Sequence, residues 1–254
     1  MSIFEYSGRN TYYEDEGTGT PLLLLHGNTA SGRMFAPVIP MLAAKYRVIV
    51  PDFLGCARSD RIKEWPADLW YAWAKQAIAL CEHLGLGKVN VIGCSGGAIA
   101  AINIALESPR TVNAVVADSF EGLRADPGLT EQIRIGRDLA KQNDGFCTAL
   151  AAMHGEDWES VVDADTEAVI THAQTIGSFL HRPIEDLTVK LLLTGSAADE
   201  MFPAGHYKKL FCEICSRTVF AEAHIFEQGG HPAMMSNLKE FMALCGAFFY
   251  GKGE

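Results

Sequence analysis

The stretch Val89-Asn90-Val91-Ile92-Gly93-Cys94-Ser95-Gly96-Gly97-Ala98-Ile99-Ala100-Ala101-Ile102-Asn103-Ile104-Ala105-Leu106 decides the fold. Its first four residues are a short apolar run of strand type, and its last nine are a good helix former. Between them lies G-x-S-x-G, the spacing of a tight strand-to-helix turn. In such a turn the residues two before and two after the serine must be small, because the strand and helix backbones approach closely there. The turn lifts the Ser95 hydroxyl above the sheet edge, and the helix N-terminus behind it favours developing negative charge.

Working outward, Leu22–Leu25, Val48–Val50, Val112–Val116 and Val189–Leu193 are further short apolar runs, as expected for parallel strands buried on both faces. Helical patterns separate them. From Trp70 the apolar positions 70, 73, 74, 77, 81 and 84 follow the helix period, with Asp68 placed to cap the start and Gly85 to end it. Ile3–Gly17 reads as a hairpin turning around Ser7-Gly8-Arg9-Asn10. At the other end, Asn237 and Glu240 have capping-box spacing before an apolar stripe through Leu238, Phe241, Met242, Cys245, Phe248 and Phe249. The alternation predicts an α/β fold with a mostly parallel, doubly wound sheet. It breaks between Ser119 and Leu187, where helical stretches over Leu129–Gln142 and Asp165–Leu180 follow one another without a strand. Residues 1–119 and 188–254 are therefore expected to form the core, and residues 120–187 a helical cap inserted in it.

Composition narrows the classes. The chain has 254 residues, 48% hydrophobic and 20% charged, enough for a large core. A formal charge of -10 repels nucleic acid and anionic lipid, so neither is an expected partner. Thirteen acids against five bases lie between 120 and 186, so most of the excess is in the helical segment. No secretory signal or membrane span is legible, and seven cysteines without a framework of spacings fit a reduced, cytoplasmic protein. Cys212 and Cys215 form a C-x-x-C inside a helical pattern, without the second pair that zinc requires. No metal or cofactor is expected, and a monomer or homodimer acting on a small molecule is.

A serine hydroxyl needs a base to become nucleophilic, and the base needs an orienting acid. His231, in Gly229-Gly230-His231-Pro232, sits in a loop between the strand-like run Val219–Phe226 and the last helix, and is the best base. Asp199 follows the strand-like run ending at Leu193 and precedes Pro203, which places its carboxylate at the same sheet edge as Ser95. Asp118 at the end of Val112–Ala117 is the alternative acid, and Glu200 a weaker one. His26-Gly27-Asn28-Thr29 closes another strand, so the N–H groups of Asn28 and Gly96 are the candidate oxyanion donors.

With these motifs in place, the chain resembles the α/β-hydrolases, in their esterase-like, helical-capped form with a serine nucleophile. The chain order Ser, Asp, His is theirs. Leu25-His26-Gly27 resembles their oxyanion loop, and Pro51-Asp52-Phe53-Leu54-Gly55-Cys56-Ala57-Arg58-Ser59-Asp60 their D-x-x-G-x-G-x-S turn. Two departures stand out. Cys56 and Ala57 replace the usual histidine and glycine, and Gly195–Asp199 is one residue longer than the common G-x-x-D. A serine nucleophile argues against a dehalogenase or an epoxide hydrolase.

The resemblance implies acyl transfer by Ser95, His231 and Asp199 on a small carboxylic ester, lactone or thioester. Carbon–carbon hydrolases and amino-acid ester hydrolases share this fold, as do small-molecule receptors and cofactor-free lyases or perhydrolases. Where amino-ester hydrolases carry a carboxylate after the nucleophile, this chain has Gly96. Substrate contacts are expected from His26 and Thr29, and from Phe146, His154, Trp158, His172 and His181 of the helical segment, whose acidic surface disfavours coenzyme A thioesters.

Overall fold

A computed structural model describes residues 2–251. The strands are β1 (Ser2–Tyr6), β2 (Arg9–Glu16), β3 (Thr20–Leu25), β4 (Tyr46–Pro51), β5 (Val89–Cys94), β6 (Val112–Asp118), β7 (Lys190–Ser196) and β8 (Ala221–Phe226). They form one sheet in the order β1-β2-β4-β3-β5-β6-β7-β8, in which β2 runs antiparallel to both its neighbours, β1 and β4, and every other pair is parallel. The helices are α1 (Ile39–Ala43), α2 (Leu69–His83), α3 (Gly96–Glu107), α4 (Pro127–Ala140), α5 (Asp144–His154), α6 (Trp158–Thr175), α7 (His206–Arg217), α8 (Ala233–Ser236) and α9 (Leu238–Tyr250). Among the described residues, no helix is long and apolar enough to cross a membrane.

The mostly parallel sheet follows from the apolar runs. Leu22 to Leu25, Val48 to Val50 and Leu191 to Leu193 are all buried, because helices cover both faces. One core layer joins α2 and α3 to the sheet through Trp70, Trp73, Ala101 and Leu25, while the other joins α1 and α9 through Leu42, Phe241 and Val116. The hairpin turns on Ser7 and Gly8, both at positive φ, as a two-residue turn between twisted strands requires. β8 is an edge strand and starts later than its apolar pattern: Val219 and Phe220 are exposed.

Two predicted caps are not made. Asp68 occupies the N-cap position of α2 without a side-chain capping bond, and lies 3.8 Å from the His172 ring instead. Asn237 likewise forms no capping bond to α9, because its amide donates to the Gln228 carbonyl at 2.9 Å and holds the preceding loop. At the C-terminus of α2, Gly85 takes the left-handed conformation and closes the helix as expected.

Between β6 and β7 stand three helices, two of which carry the clearest helical pattern in the sequence. α5 is an independent helix, started by the Asn143 side chain accepting from the Phe146 N–H at 3.0 Å and ended at Gly155. α6 begins at Trp158, earlier than its apolar periodicity, and stops at Thr175 because Gly177 turns the chain at φ 70°. This segment is tied to the sheet side by Arg61, whose guanidinium binds both oxygens of Asp157 at 2.7 and 2.8 Å and the His154 carbonyl at 2.7 Å.

Ala57 lies at φ 44°, in the left-handed region where a side chain is strained. Its N–H donates to His154 Nδ1 and its carbonyl accepts from Arg61, so the turn cannot relax without losing both. Replacing Ala57 by Gly is expected to raise stability by about 1 kcal/mol. Thermal melting checks this, and a lower melting temperature for Ala57→Gly would show that the turn is not strained.

Candidate active site

Ser95 joins β5 to α3 with φ 55° and ψ -124°, a conformation that costs a non-glycine residue about 1–3 kcal/mol. The neighbours make this turn possible. A Cβ at Gly93 would overlap the Gly97 carbonyl, and one at Gly97 would overlap the carbonyls of Leu25 and His26. The Ser95 N–H is anchored on the Asp118 carbonyl at 2.8 Å. The loop after β3 runs directly against the serine: a side chain at Gly27 would come within 2.9 Å of Ser95 Cβ. Among the described residues, the backbone N–H groups of Asn28 and Gly96 donate to no other group of the protein.

Asp199 and His231 are brought together from the ends of β7 and β8, with Nδ1 of His231 donating to Asp199 Oδ2 at 2.9 Å. The carboxylate also accepts from the Tyr207 hydroxyl at 2.6 Å and from the Met201 N–H at 2.9 Å. Burial alone would raise the Asp199 carboxyl. The hydrogen bonds and charge of His231, with those of Tyr207 and Met201, outweigh burial and hold it below the ordinary carboxylate value. Within Gly195–Asp199, β7 continues through Ser196 and the chain then turns, the Asp199 N–H donating to the Ser196 carbonyl at 3.2 Å. No hydrogen bond joins the Ser95 hydroxyl to His231 among the described residues; such contacts are often long before substrate binds.

Asp118 is placed differently. It is fully buried, accepts from the Thr194 hydroxyl at 2.7 Å and the Met234 N–H at 2.9 Å, and makes no hydrogen bond to the His231 ring. Burial pushes its carboxyl up to about 6 against those donors. Its neighbour Ser119 accepts from the Ala233 N–H at 2.8 Å, so both residues fasten the start of α8, just beyond His231. Glu200 accepts the His231 backbone N–H at 3.3 Å, which also supports the loop and not the ring.

A cavity of about 50 Å³ lies at Ser95, with Asn28, Trp70, Glu121, Arg137, Val169 and Phe202 in its wall. None of Phe146, His154, Trp158, His172 and His181 lines it. His154 and His172 are buried struts: the first bridges the Ala57 N–H and the Thr29 carbonyl, and the second stacks on Phe179 and meets the edge of Trp70. His181 stacks on the Tyr71 ring at the surface, while Phe146 and Trp158 are half-buried in α5 and α6. His26 is also structural, since its Nε2 accepts from the Phe53 N–H and its Nδ1 donates to the Gly27 carbonyl, with burial lowering its basicity. Thr29 turns its hydroxyl back onto the Asn28 carbonyl. Helical periodicity and residue type do not say which face of a helix meets a serine on another element. The residues that do line the cavity, Glu121, Ile133, Arg137 and Val169 among them, carried no motif.

Glu121 also lines a second cavity of about 470 Å³ between α4 and α7. Its Oε1 accepts from the Asp126 N–H at 2.8 Å, and no cationic side chain pairs with it among the described residues. Position 96 has its own explanation: a Cβ there would overlap Asn28 Oδ1 and lie 2.5 Å from Trp70 Nε1, so the glycine leaves room for the Asn28 side chain.

The profile of the alpha/beta hydrolase fold family matches residues 20–161, and the chain belongs to that family. Over 115 residues it is 44% identical to the magnesium-chelatase 30 kDa subunit of Rhodobacter capsulatus, covering 41% of this chain and 38% of that relative, well under half its length. A 2-hydroxymuconate semialdehyde hydrolase of Pseudomonas sp. (strain CF600) is 28% identical over 95% of this chain and 91% of its own. Among solved structures, a meta-cleavage product hydrolase from Pseudomonas fluorescens superposes with a TM-score of 0.72 at 22% identity, over 100% of this chain and 98% of the other, a likeness of fold. The chain thus has the alpha/beta hydrolase fold, and its relative of 28% identity is a hydrolase by name.

Burial pushes the Glu121 carboxyl from its ordinary value of 4.5 up to about 7, opposed by the Asp126 N–H. Between those values the folded chain keeps a proton that the unfolded chain has lost, so this group makes stability fall as pH rises from about 4.5 to about 7. In Glu121→Gln the melting temperature at about pH 7.5, taken relative to that at about pH 4.5, is expected to be higher than in the wild type. An unchanged difference would show that Glu121 titrates normally in the folded protein.

Proposed function

We propose that the protein is a serine hydrolase in which Ser95 is the nucleophile, His231 the base and Asp199 the orienting acid. The observation that carries the reading is the Asp199–His231 hydrogen bond of 2.9 Å at the sheet edge where the strained Ser95 turn ends. Ser95 Oγ attacks a carbonyl carbon while His231 Nε2 takes its proton. Nδ1 stays bonded to the ionised Asp199, which stabilises the imidazolium. The tetrahedral oxyanion accepts from the N–H groups of Asn28 and Gly96, which have no other acceptor among the described residues. His231 then protonates the leaving group, and water repeats the sequence to release the acyl group and regenerate Ser95.

The substrate class we favour is a small carboxylic ester or lactone, with thioesters next. The cavity of about 50 Å³ at Ser95 holds a few water molecules at most, whereas sites for drug-sized ligands run to roughly 300 Å³ and more. Residues 120–187 act in this reading as a cap, and α4, which borders both cavities through Ile133 and Leu129, must yield for a larger acyl group. A second reading, hydrolysis of a carbon–carbon bond beside a carbonyl, is favoured by the relative that is 28% identical over 95% of the chain and named as a semialdehyde hydrolase. The same serine, base and oxyanion donors serve both reactions.

Labelling by a fluorophosphonate is expected in the wild type and absent in Ser95→Ala. Well-folded wild type that does not label would overturn the catalytic reading. An ester and lactone panel, run beside a vinylogous diketone acid and followed by product analysis, separates the two substrate classes. Asp199→Asn is expected to lower kcat by roughly 10⁴-fold, while Asp118→Asn acts chiefly on the melting temperature. A greater kcat loss in Asp118→Asn would transfer the acid's role to Asp118.

A further inference from the structure

One buried carboxylate is used by none of the steps above. Asp165 lies in α6 and is fully buried, an expensive position for a charge unless it is paired and hydrogen-bonded. Its Oδ2 accepts from Asn28 Nδ2 at 2.8 Å and, more weakly, from the Thr29 N–H at 3.4 Å. Its Oδ1 lies 2.8 Å from Arg137 Nη1, which hydrogen-bonds Thr166 Oγ1 at 2.9 Å. On the other side of the same amide, Asn28 Oδ1 accepts from Trp70 Nε1 at 3.0 Å. The Asn28 side chain is thus held at both ends and lies against Gly96, where a Cβ would overlap it.

We propose that Asp165 is a positioning residue for the oxyanion hole, holding the loop at Asn28 and Thr29 so that the Asn28 N–H faces Ser95. This rests on the serine-hydrolase reading. A loop between β3 and the following turn has no regular hydrogen-bond ladder to fix its direction, and Thr29 stands at φ 55°. One turn bond spans it, from the Ala30 N–H to the Gly27 carbonyl at 3.3 Å, and side-chain contacts add to that, of which Asp165 supplies two. The carboxylate comes from a segment 136 residues away in sequence from Thr29, so the oxyanion hole is complete only when α6 is docked. Arg137 belongs to the arrangement because it balances the Asp165 charge while bordering the Ser95 cavity.

The alternative is that Asp165 merely latches the helices to the sheet. A latch changes the melting temperature and the number of competent sites, but not turnover per site. The experiment therefore measures kcat and KM per site, with sites counted by the final extent of fluorophosphonate labelling. Asp165→Ala and Asn28→Ala are each expected to lower kcat by roughly 10²-fold with KM changed less than about threefold, the size of effect that loss of one oxyanion donor produces. The double variant is expected to be no worse than either single one, since both break the same contact. Asp165→Asn, whose amide oxygen can still accept from Asn28, is expected to return kcat to within about tenfold of wild type.

Absence of wild-type labelling and turnover would defeat the hydrolase reading, and this proposal with it. With wild type active, a kcat per site within about threefold of wild type in Asp165→Ala or Asn28→Ala, or additive losses in the double variant, overturns the positioning role alone. Where Asp165→Ala yields no folded protein, Asn28→Ala and Asp165→Asn decide: an unchanged kcat in the first, or a loss in the second as large as that of the first, overturns it.

Discussion

The close approach of β5 and α3 at Ser95 is the constraint on which the rest of the site depends. The turn exists because Gly93 and Gly97 carry no Cβ in a space filled by backbone carbonyls. It places Ser95 at positive φ, with its N–H tied to β6 and its side chain against the loop after β3. Strain in the turn is over-determined by the surrounding strands, which are buried on both faces and cannot shift to relieve it.

The loops opposite Ser95 are held by polar side chains at the ends of β6 and β7, not by regular structure. Asp118 and Ser119, at the end of β6, bind the N–H groups of Met234 and Ala233 and so fix the exit of the His231 loop. Glu200 and Ser196 hold its backbone from the β7 side. Asp199 is steadied by Tyr207 as well as by its histidine. Asp118 and Ser119 accept from N–H groups that would otherwise be buried without partners, while Asp199 accepts from the His231 ring.

The helical segment contributes in the same way. Its acidic excess does not form a uniform rim. Asp157 and Asp165 pair with Arg61 and Arg137, and Glu121 stands between two cavities without a cationic partner among the described residues. Net charge therefore says less about the entrance than the position of each carboxyl does.

Strands, the elbow at Ser95, and the loops carrying Asp199 and His231 were legible in the sequence, because apolar runs and turn residues act locally and their spacing reflects local geometry. The caps at Asp68 and Asn237 followed the same local logic and were overridden by tertiary partners, His172 and the Gln228 carbonyl. What only the tertiary structure decided is which residues between β6 and β7 line the cavity at Ser95: Glu121 before α4 and Arg137 within it, and not the aromatic and histidine residues, with Asp165 reaching Asn28 across 137 positions. The physical reason is that periodicity identifies the buried side of a helix, whereas its rotation over a site is set by packing against elements distant in the chain.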